Sequence, residues 1–373
     1  MSCDALSLYD LTRYARQVRF PPLGEEGQRR LAVSRALLCG CGALGSAIAN
    51  TLVRAGVGHL RIVDRDFVEI SNLQRQMLFD EADAAAGVPK AVAAAEKLRL
   101  VNSTVNVEPV VADIDPTNIE GFCEAVDVIL DGTDNFETRF LINDAAVKLG
   151  LPWVYGGCVG AEGQSMTILP GETACLRCLM PDCPPPGSTP TCDVAGILGP
   201  IVGAIAAIEA AEAIKILSGN RAAISRSLTV VDLWPDIKPR PVVALSGATA
   251  GRGFVPEAQP MFRQIDVSGL REQVDCPTCK HGEYPWLSGR CGSRTAVLCG
   301  RNAVQLRHPG STISLDELAA RLEGVGRLTR NQFLLRLKVE SYELTIFPDA
   351  RAIISGTDDI AAARAVYAKY VGN

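Results

Sequence analysis

The stretch that decides the fold is residues 36–66, ALLCGCGALGSAIANTLVRAGVGHLRIVDRD. An apolar run leads into three glycines spaced G-x-G-x-x-G, an alanine-rich segment follows, and a second apolar run ends the stretch. The glycines are Gly40, Gly42 and Gly45. This order is typical of a strand, a tight turn, a helix starting near Ala43 and a second strand. The turn lets the backbone approach a phosphate, and the start of the helix directs unpaired N–H groups at it.

The acidic residue at the end of the second run, Asp64, lies where a carboxylate would accept hydrogen bonds from a ribose. Glycine also ends strands for purely conformational reasons, but the flanking strand and helix patterns favour nucleotide binding. The most common protein with this motif is an NAD(P)-dependent oxidoreductase. The residues that follow Asp64 argue for a different activity.

The composition limits the possible classes. The 373 residues allow two or possibly three domains, and 47% hydrophobic with 21% charged residues is ordinary for an α/β protein with a large core. A net charge of −5 gives no electrostatic footprint for nucleic acid, so we do not expect a nucleic-acid partner.

We also expect a cytoplasmic protein that does not enter a membrane. The N-terminal residues carry no apolar signal segment. The longest apolar stretch, residues 197–208, is followed by Glu209, Glu212 and Lys215 before it reaches the roughly 20 residues of a membrane span. The 13 cysteines then indicate reduced thiols that serve metal binding or chemistry, and not a disulfide framework.

A short helical arm is predicted at residues 1–34, and it contains the sequence RYARQ at 13–17. Arginines on an exposed arm usually interact only with solvent. An arm that precedes a nucleotide-binding fold can also reach a neighbouring subunit.

The sequence predicts a helix shortly after Gly87, with Lys90 in its first turn. Pro89 suits the first turn of a helix, because its missing N–H costs nothing there. Lys90 then opposes the helix dipole, which is unfavourable unless an anion lies between. Lys90 is therefore a candidate phosphate ligand.

Two aspartates lie at the end of the strand predicted over residues 126–130. Ligands of parallel sheets bind at the carboxyl ends of strands, and Mg²⁺ takes one or two carboxylates together with substrate phosphates. Asp131 and Asp134 are therefore candidates for the metal. Alternatively, one of them only caps the helix that begins near Asn135.

Two C-x-x-C pairs predict a metal site. They are Cys175 with Cys178 and Cys276 with Cys279. Four thiolates are the tetrahedral ligand set of structural zinc. The loop between the pairs is longer than in a zinc ribbon, so the fold has to bring them together.

One further cysteine, Cys192, follows a segment rich in Pro and Gly and directly precedes a helix predicted at 198–218. A helix start lowers the pKa of a nearby thiol and makes it nucleophilic. A lone cysteine is more often without a chemical role, and the sequence leaves both readings open.

Taken together, the motifs RYARQ, GCGALG, IVDRD, SNLQRQ, GVPK, DGTDN, CLRC, TCDVAGILGP and CPTC, in this order, resemble the ThiF/MoeB/HesA family, the prokaryotic relatives of ubiquitin-activating enzymes. The resemblance covers about the first 235 residues. The family often has glycine where this chain has Ala43, which we expect only to reduce backbone freedom.

The resemblance implies that the protein adenylylates the C-terminal Gly-Gly carboxylate of a small ubiquitin-like sulfur-carrier protein, using ATP and Mg²⁺, in a thiamine, molybdopterin or related sulfur-transfer pathway. It also implies a homodimer with structural Zn²⁺. The catalytic residues would be Arg16, reaching the partner's site, with Arg75, Lys90, Asp134 and Cys192. The nucleotide and its metal would be bound by Gly40, Gly42, Ala43, Gly45, Asp64, Asp66, Asn72, Arg75, Gln76, Lys90, Asp131, Asp134 and Asn135.

Chemistry favours this function over hydride transfer. Attack of a carboxylate on an α-phosphate requires charge neutralisation and alignment, which Arg75, Lys90 and Asp134 would supply, and an oxidoreductase has no need of them. Two alternatives stay open: an adenylating enzyme of the same fold with another substrate, such as tRNA, and a non-catalytic zinc scaffold that binds nucleotide.

The expected fold class is α/β, a Rossmann-like, mostly parallel sheet with an antiparallel extension, plus a small C-terminal α+β domain. The expected domains are the arm at 1–34, the adenylyltransferase domain at 35–281 with a linker or loop at 238–260, and the module at 282–373. The module is predicted to contain strands at 296–299, 303–307, 333–339, 342–347 and 350–354 and helices at 315–322 and 359–370. We expect it to support carrier docking or dimerisation.

Overall fold

The computed structural model describes residues 12–184, 195–234, 261–291, 296–298, 302–306 and 312–372. The chain divides into two compact units, one made of residues 1–183 and 197–287, the other of 184–196 and 288–373. Cys192 and the expected linker at 238–260 lie outside the described residues.

The first unit alternates strands and helices. In chain order they are α1 (Ala15–Val18), α2 (Gly24–Val33), β1 (Arg35–Cys39), α3 (Ala43–Ala55), β2 (His59–Val63), α4 (Glu81–Ala86), α5 (Lys90–Val101), β3 (Asn106–Val110), α6 (Ile119–Phe122), β4 (Val128–Asp131), α7 (Phe136–Leu149), β5 (Trp153–Val159), β6 (Glu162–Ile168), α8 (Leu176–Leu179), α9 (Gly199–Leu217), β7 (Ser227–Asp232), β8 (Phe262–Asp266) and α10 (Leu270–Gln273).

The eight strands form one sheet in the order β3-β2-β1-β4-β5-β6-β7-β8. Neighbours from β3 to β5 run parallel, and the pairs from β5 to β8 are antiparallel. The expected Rossmann-like sheet with an antiparallel extension is therefore confirmed. The strand order reverses between β1 and β4, which is the place where such sheets bind ligands.

Apolar side chains cover both faces of the sheet. One core contains Ile48 and Leu52 of α3 and Ile205 of α9, and the other contains Phe140 of α7 and Trp153 of β5. The long apolar segment predicted at 198–218 is the buried helix α9. Among the described helices, none has both the length and the apolar character to cross a bilayer.

Glycines allow the turn after β1 to touch the end of β4. A Cβ atom at Gly40, where φ is +89°, would lie 2.6 Å from the carbonyl oxygen of Gly132. A Cβ atom at Gly45, on the first turn of α3, would lie 2.1 Å from the carbonyl oxygen of Gly40. Only a residue without a side chain fits at these two positions.

The second unit is a smaller α+β module. Its elements are β9 (Ala296–Leu298), β10 (Ala303–Leu306), α11 (Leu315–Arg321), β11 (Arg327–Arg330), β12 (Leu335–Val339), β13 (Tyr342–Ile346), β14 (Ala352–Ser355) and α12 (Ile360–Tyr370). The strands form an antiparallel sheet in the order β11-β12-β13-β14-β10-β9. The expected α+β class of the C-terminal part is confirmed.

Three strands were not predicted from the sequence: the mostly buried β7 and the two edge strands β8 and β11. β11 and β8 lie at sheet edges, and most of their side chains are exposed. Neither strand has the alternation of apolar and polar residues that marks a strand with one buried face.

The glycine contacts lead to a prediction about stability. Gly45→Ala should destabilise the protein by about 1–3 kcal/mol or more, because the new methyl group meets a backbone oxygen that cannot move aside. The matched control is Gly203→Ala in α9, where a Cβ atom has no heavy atom within 4 Å. That control should stabilise the helix by about 0.5–1 kcal/mol. Thermal unfolding of both variants measures the contrast, and equal midpoints would contradict it.

Candidate active site

The glycine turn is tied to the end of β2 by Asp64. One carboxylate oxygen accepts a hydrogen bond from the backbone N–H of Cys41 at 2.6 Å, and the other accepts one from the N–H of Asp66 at 2.6 Å. Burial raises the pKa of Asp64, and the nearby Lys90 opposes this effect. Each oxygen keeps a further lone pair for a ligand hydroxyl group.

Lys90 lies where the sequence predicts, as the first residue of α5. It is only 4% exposed, and its Nζ lies 3.2 Å from a carboxylate oxygen of Asp66. The carboxylate of Asp66 therefore supplies an anion at this helix start. The buried Lys90 and Asp64 thus form one charged group with the partly exposed Asp66 beside the glycine turn.

The segment between β2 and α4 lines the same turn. Gln76 is 3% exposed, and its Nε2 lies 3.9 Å from the Cβ position of Gly42. Asn72 is also buried, and its Oδ1 accepts a hydrogen bond from the N–H of Glu69 at 3.2 Å. Arg75 is partly exposed and donates from Nη1 to the carbonyl of Ser71 at 3.1 Å.

The two aspartates after β4 occupy different environments. Asp131 is fully buried, and its Oδ1 accepts from the N–H of Thr133 at 2.9 Å and from the Thr133 hydroxyl at 2.6 Å. Asp134 is exposed. The cap of α7 is Asn135, whose Oδ1 accepts from the N–H of Thr138 at 2.8 Å. The alternative in which an aspartate caps this helix is wrong, because the neighbouring asparagine takes that place.

A buried charged cluster at this end of the sheet was not found from the sequence. Arg139, in the first turn of α7, lies 3.4 Å from Asp131 through its Nε, and Glu209 of α9 is fully buried. A Cβ atom at Gly156 would lie 1.9 Å from Glu209 Oε1, and one at Gly157 would lie 3.1 Å from Arg139 Nη2. The two glycines of β5 thus leave space for these side chains. The sequence did contain one indication of a role for Arg139: a cation near the start of a helix, the same pattern that made Lys90 a candidate.

The four predicted cysteines come together. Their sulfur atoms all lie within 4.8 Å of one another, and Cys175 and Cys276 are 3.6 Å apart. A tetrahedral zinc–thiolate site with bonds of about 2.3 Å has sulfur–sulfur distances of about 3.8 Å. Asn143 of α7 orients the first pair, since its Oδ1 accepts from the N–H of Leu176 at 2.8 Å. The geometry therefore fits a metal ion bound by four thiolates.

The N-terminal arm packs on its own chain through residues next to Arg16. The hydroxyl of Tyr14 accepts from Asn102 Nδ2 at 2.8 Å, and Gln17 Nε2 donates to the carbonyl of Ala55 at 2.9 Å. The side chain of Arg16 is exposed. The contacts anchor α1 and leave this arginine at the surface.

Comparison with known proteins agrees with this geometry. A model of the ThiF family matches residues 14–246. The chain belongs to the ThiF family. It is 40% identical to the sulfur carrier protein ThiS adenylyltransferase of Bacillus subtilis over 96% of this chain and 99% of that protein. It is also 41% identical to the SAMP-activating enzyme E1 of Haloferax volcanii, over 61% of this chain and 83% of that enzyme.

Solved structures show the same fold at lower identity. The structure of Escherichia coli MccB with ATP has a TM-score of 0.53 and 20% identity, and the match covers 75% of this chain and 76% of that one. The relatives at about 40% identity include named adenylyltransferases, among them one from Thermus thermophilus matched over 60% of this chain and 83% of its own length. This ThiF-family protein is therefore an adenylyltransferase, which excludes the oxidoreductase and the non-catalytic scaffold.

The buried cluster gives a prediction about pH. Burial raises the pKa of Glu209 well above its ordinary value of 4.5; Asp131 adds to the rise and Arg139 opposes it. The unfolded chain releases this proton as pH rises above 4.5 while the folded protein keeps it, so rising pH favours unfolding through this group. Glu209→Gln should therefore raise the unfolding temperature, and the gap to the wild type should widen from about pH 5 to about pH 8, reaching at least about 2 °C.

Thermal unfolding across that pH range is the measurement. A gap that stays constant, or a less stable Gln variant at high pH, would show that Glu209 is ionised in the folded protein.

Proposed function

We propose that this ThiF-family adenylyltransferase uses Mg·ATP to adenylylate the C-terminal Gly-Gly carboxylate of a small ubiquitin-like sulfur-carrier protein. The observation that supports it most is the meeting of the glycine turn, Asp64, Lys90 and the loop bearing Asp134 at the ends of the adjacent strands β1, β2 and β4. The Bacillus subtilis relative, matched over nearly its whole length, is named for the carrier ThiS. A carrier of that type is the first candidate.

The reaction needs positioning and charge more than a side-chain nucleophile. The carrier's carboxylate attacks the α-phosphate of ATP, a new acyl–phosphate bond forms, and pyrophosphate leaves. The N–H groups of the glycine turn and the start of α3 would hold phosphate oxygens. Lys90 and Arg75 would neutralise the negative charge that builds up during attack.

Asp134 is the residue that would hold the magnesium ion. Its carboxylate is exposed at the end of β4, whereas Asp131 is fully buried against Arg139. A magnesium ion accepts one carboxylate when phosphates and water complete its octahedral shell. Bound there, Mg²⁺ would offset the charge of the leaving pyrophosphate.

We further propose that the protein acts as a homodimer in which Arg16 reaches the partner's site. The exposed position of Arg16 beside the anchored Tyr14 and Gln17 supports this arrangement. Cys192 lies outside the described residues, and its covalent role stays a prediction from the sequence.

The function is tested by ATP–pyrophosphate exchange with and without a carrier protein that ends in Gly-Gly. Asp134→Ala and Lys90→Ala should each lower exchange by at least about 100-fold, because both remove a charge that acts on the ligand. Lys97→Ala is the matched control. It lies in the same helix α5 but pairs with Asp80 and Asp83, and it should keep full exchange.

The same assay examines the dimer. Arg16→Ala should lose exchange as Lys90→Ala does, yet a mixture of the two chains should recover part of it through mixed dimers. Wild-type exchange that does not depend on the carrier would refute the proposed substrate. Recovery of nothing in the mixture would assign Arg16 to its own subunit or to no site.

The cysteine cluster is proposed to bind one structural zinc ion per chain. Cys175 and Cys178 are in and next to α8, and Cys276 and Cys279 follow α10, so a bound ion would join segments about 100 residues apart in the chain. Thiolate sites couple metal binding to folding. The ion would therefore stabilise the fold and take no part in the chemistry.

Elemental analysis of purified protein should find about one zinc per chain. Cys276→Ser should lower both zinc content and unfolding temperature, while Cys291→Ser, which changes an exposed cysteine outside the cluster, should alter neither. A wild-type protein without zinc, or a Cys276→Ser variant with full zinc content, would remove this proposal.

A further inference from the structure

The guanidinium of Arg139 contacts the loop that carries Asp134 at two points. Its Nη2 donates to the carbonyl of Thr133 at 2.8 Å, and its Nε lies 3.4 Å from Asp131. Burial lowers the pKa of Arg139, but the nearby charges of Asp131 and Asp134 raise it, and the net pKa is raised. One planar side chain thus joins the end of β4 to the residue before Asp134.

The surroundings of Arg139 fix its orientation. The residue is 7% exposed, and its guanidinium carbon lies 5.3 Å from the ring centre of Phe136 and 5.5 Å from that of Tyr155. The hydroxyl of Tyr155 accepts from Gln164 Nε2 at 2.7 Å, which holds the ring in place. Gly157 leaves the space that Nη2 occupies.

A buried cation requires compensation, and this cluster contains two carboxyl groups for one arginine. Asp131 is the group in contact with Arg139, and it also accepts two hydrogen bonds from Thr133. Neither oxygen of Glu209 has a hydrogen-bond partner among the described residues. If Glu209 is neutral, the charge of Arg139 attracts only Asp131 and the loop. An ionised Glu209 would compete with them for that charge.

We propose that Arg139 is a positioning residue for adenylyl transfer, which holds the loop of residues 131–134 so that the carboxylate of Asp134 meets the metal of bound Mg·ATP. This inference rests on the proposed function. It assigns to Arg139 no contact with substrate. The planar guanidinium is what matters, because its Nη2 bonds the carbonyl of Thr133 while its Nε lies at ion-pair distance from Asp131. A lysine ammonium has its donors on one freely rotating atom and cannot fix these two groups in one rigid geometry.

The test compares Arg139→Lys with Arg61→Lys. Arg61 of β2 is the matched control, since it also bonds a carboxylate and a carbonyl, through Nε to Glu108 at 3.0 Å and Nη1 to Phe122 at 2.6 Å. Carrier-dependent pyrophosphate exchange and ATP binding are measured as functions of Mg²⁺ concentration, beside the unfolding temperature. ATP binding is measured without the carrier, so it does not depend on which carrier is used.

Arg139→Lys should lower maximal exchange by about 10- to 100-fold and raise the Mg²⁺ concentration needed for half-maximal ATP binding, as expected when a reacting group is misplaced by about 1 Å. Arg61→Lys should keep maximal exchange and the half-maximal Mg²⁺ concentration within about twofold of the wild type, even if its unfolding temperature falls as much as that of Arg139→Lys. If Arg139→Lys loses no more than Arg61→Lys at an equal loss of stability, the inference is overturned and Arg139 is only structural.

Thr133→Val keeps the test decisive should Arg139→Lys not fold. It removes the hydroxyl that bonds Asp131 but keeps the side-chain shape. A loss of exchange of about threefold or more at an unchanged unfolding temperature supports the inference, and unchanged exchange contradicts it. Failure of the proposed function would appear differently, as a wild type without carrier-dependent, Mg²⁺-dependent exchange.

Discussion

The contact of two backbones at the centre of the sheet is the constraint on which the rest of the first unit depends. The turn after β1 meets the end of β4 with no side chain between them, and the N–H of Gly132 donates to the carbonyl of Cys39 at 2.7 Å. This contact places the start of α3 beside the loop that carries Asp134. A nucleotide bound at this helix start, as proposed, would lie next to the acidic loop.

The charges near this contact fall into two kinds. Asp64 and Asp131 are buried and bonded within the protein, to the glycine turn in one case and to Thr133 and Arg139 in the other. Such pairs are expensive to desolvate and useful for fixing geometry. Asp134 and Arg75 stay accessible. The buried groups are fixed by contacts within the protein, and the accessible groups are the ones proposed to contact the ligand.

The cysteine cluster lies in the core that contains Phe140 and Trp153. Asn143 of α7 bonds the first pair through the N–H of Leu176, and Asp144 of α7 contacts the second pair, since its Oδ1 lies 3.4 Å from the hydroxyl of Thr278. α7 also carries Arg139 in its first turn. The same helix thus carries Arg139 near one end and contacts the cysteine cluster farther along. Loss of the proposed metal ion would therefore be expected to affect the candidate site through this helix.

The sequence by itself determined the class of the fold, the glycine turn, the lysine at the start of α5 and the four cysteines, because each is a local pattern of residue types at fixed spacing. It also indicated the family through the order of those patterns. It did not show that Asn135 caps α7, since Asp and Asn serve equally well as caps, or that β8 and β11 are strands, since edge strands need no buried face. Only the tertiary structure decided that Asp131 is paired with Arg139 while Asp134 is exposed, and that Glu209 lies against Gly156. The physical reason is that the state of a charged side chain depends on burial and on partners far away in the chain, and no local spacing encodes either.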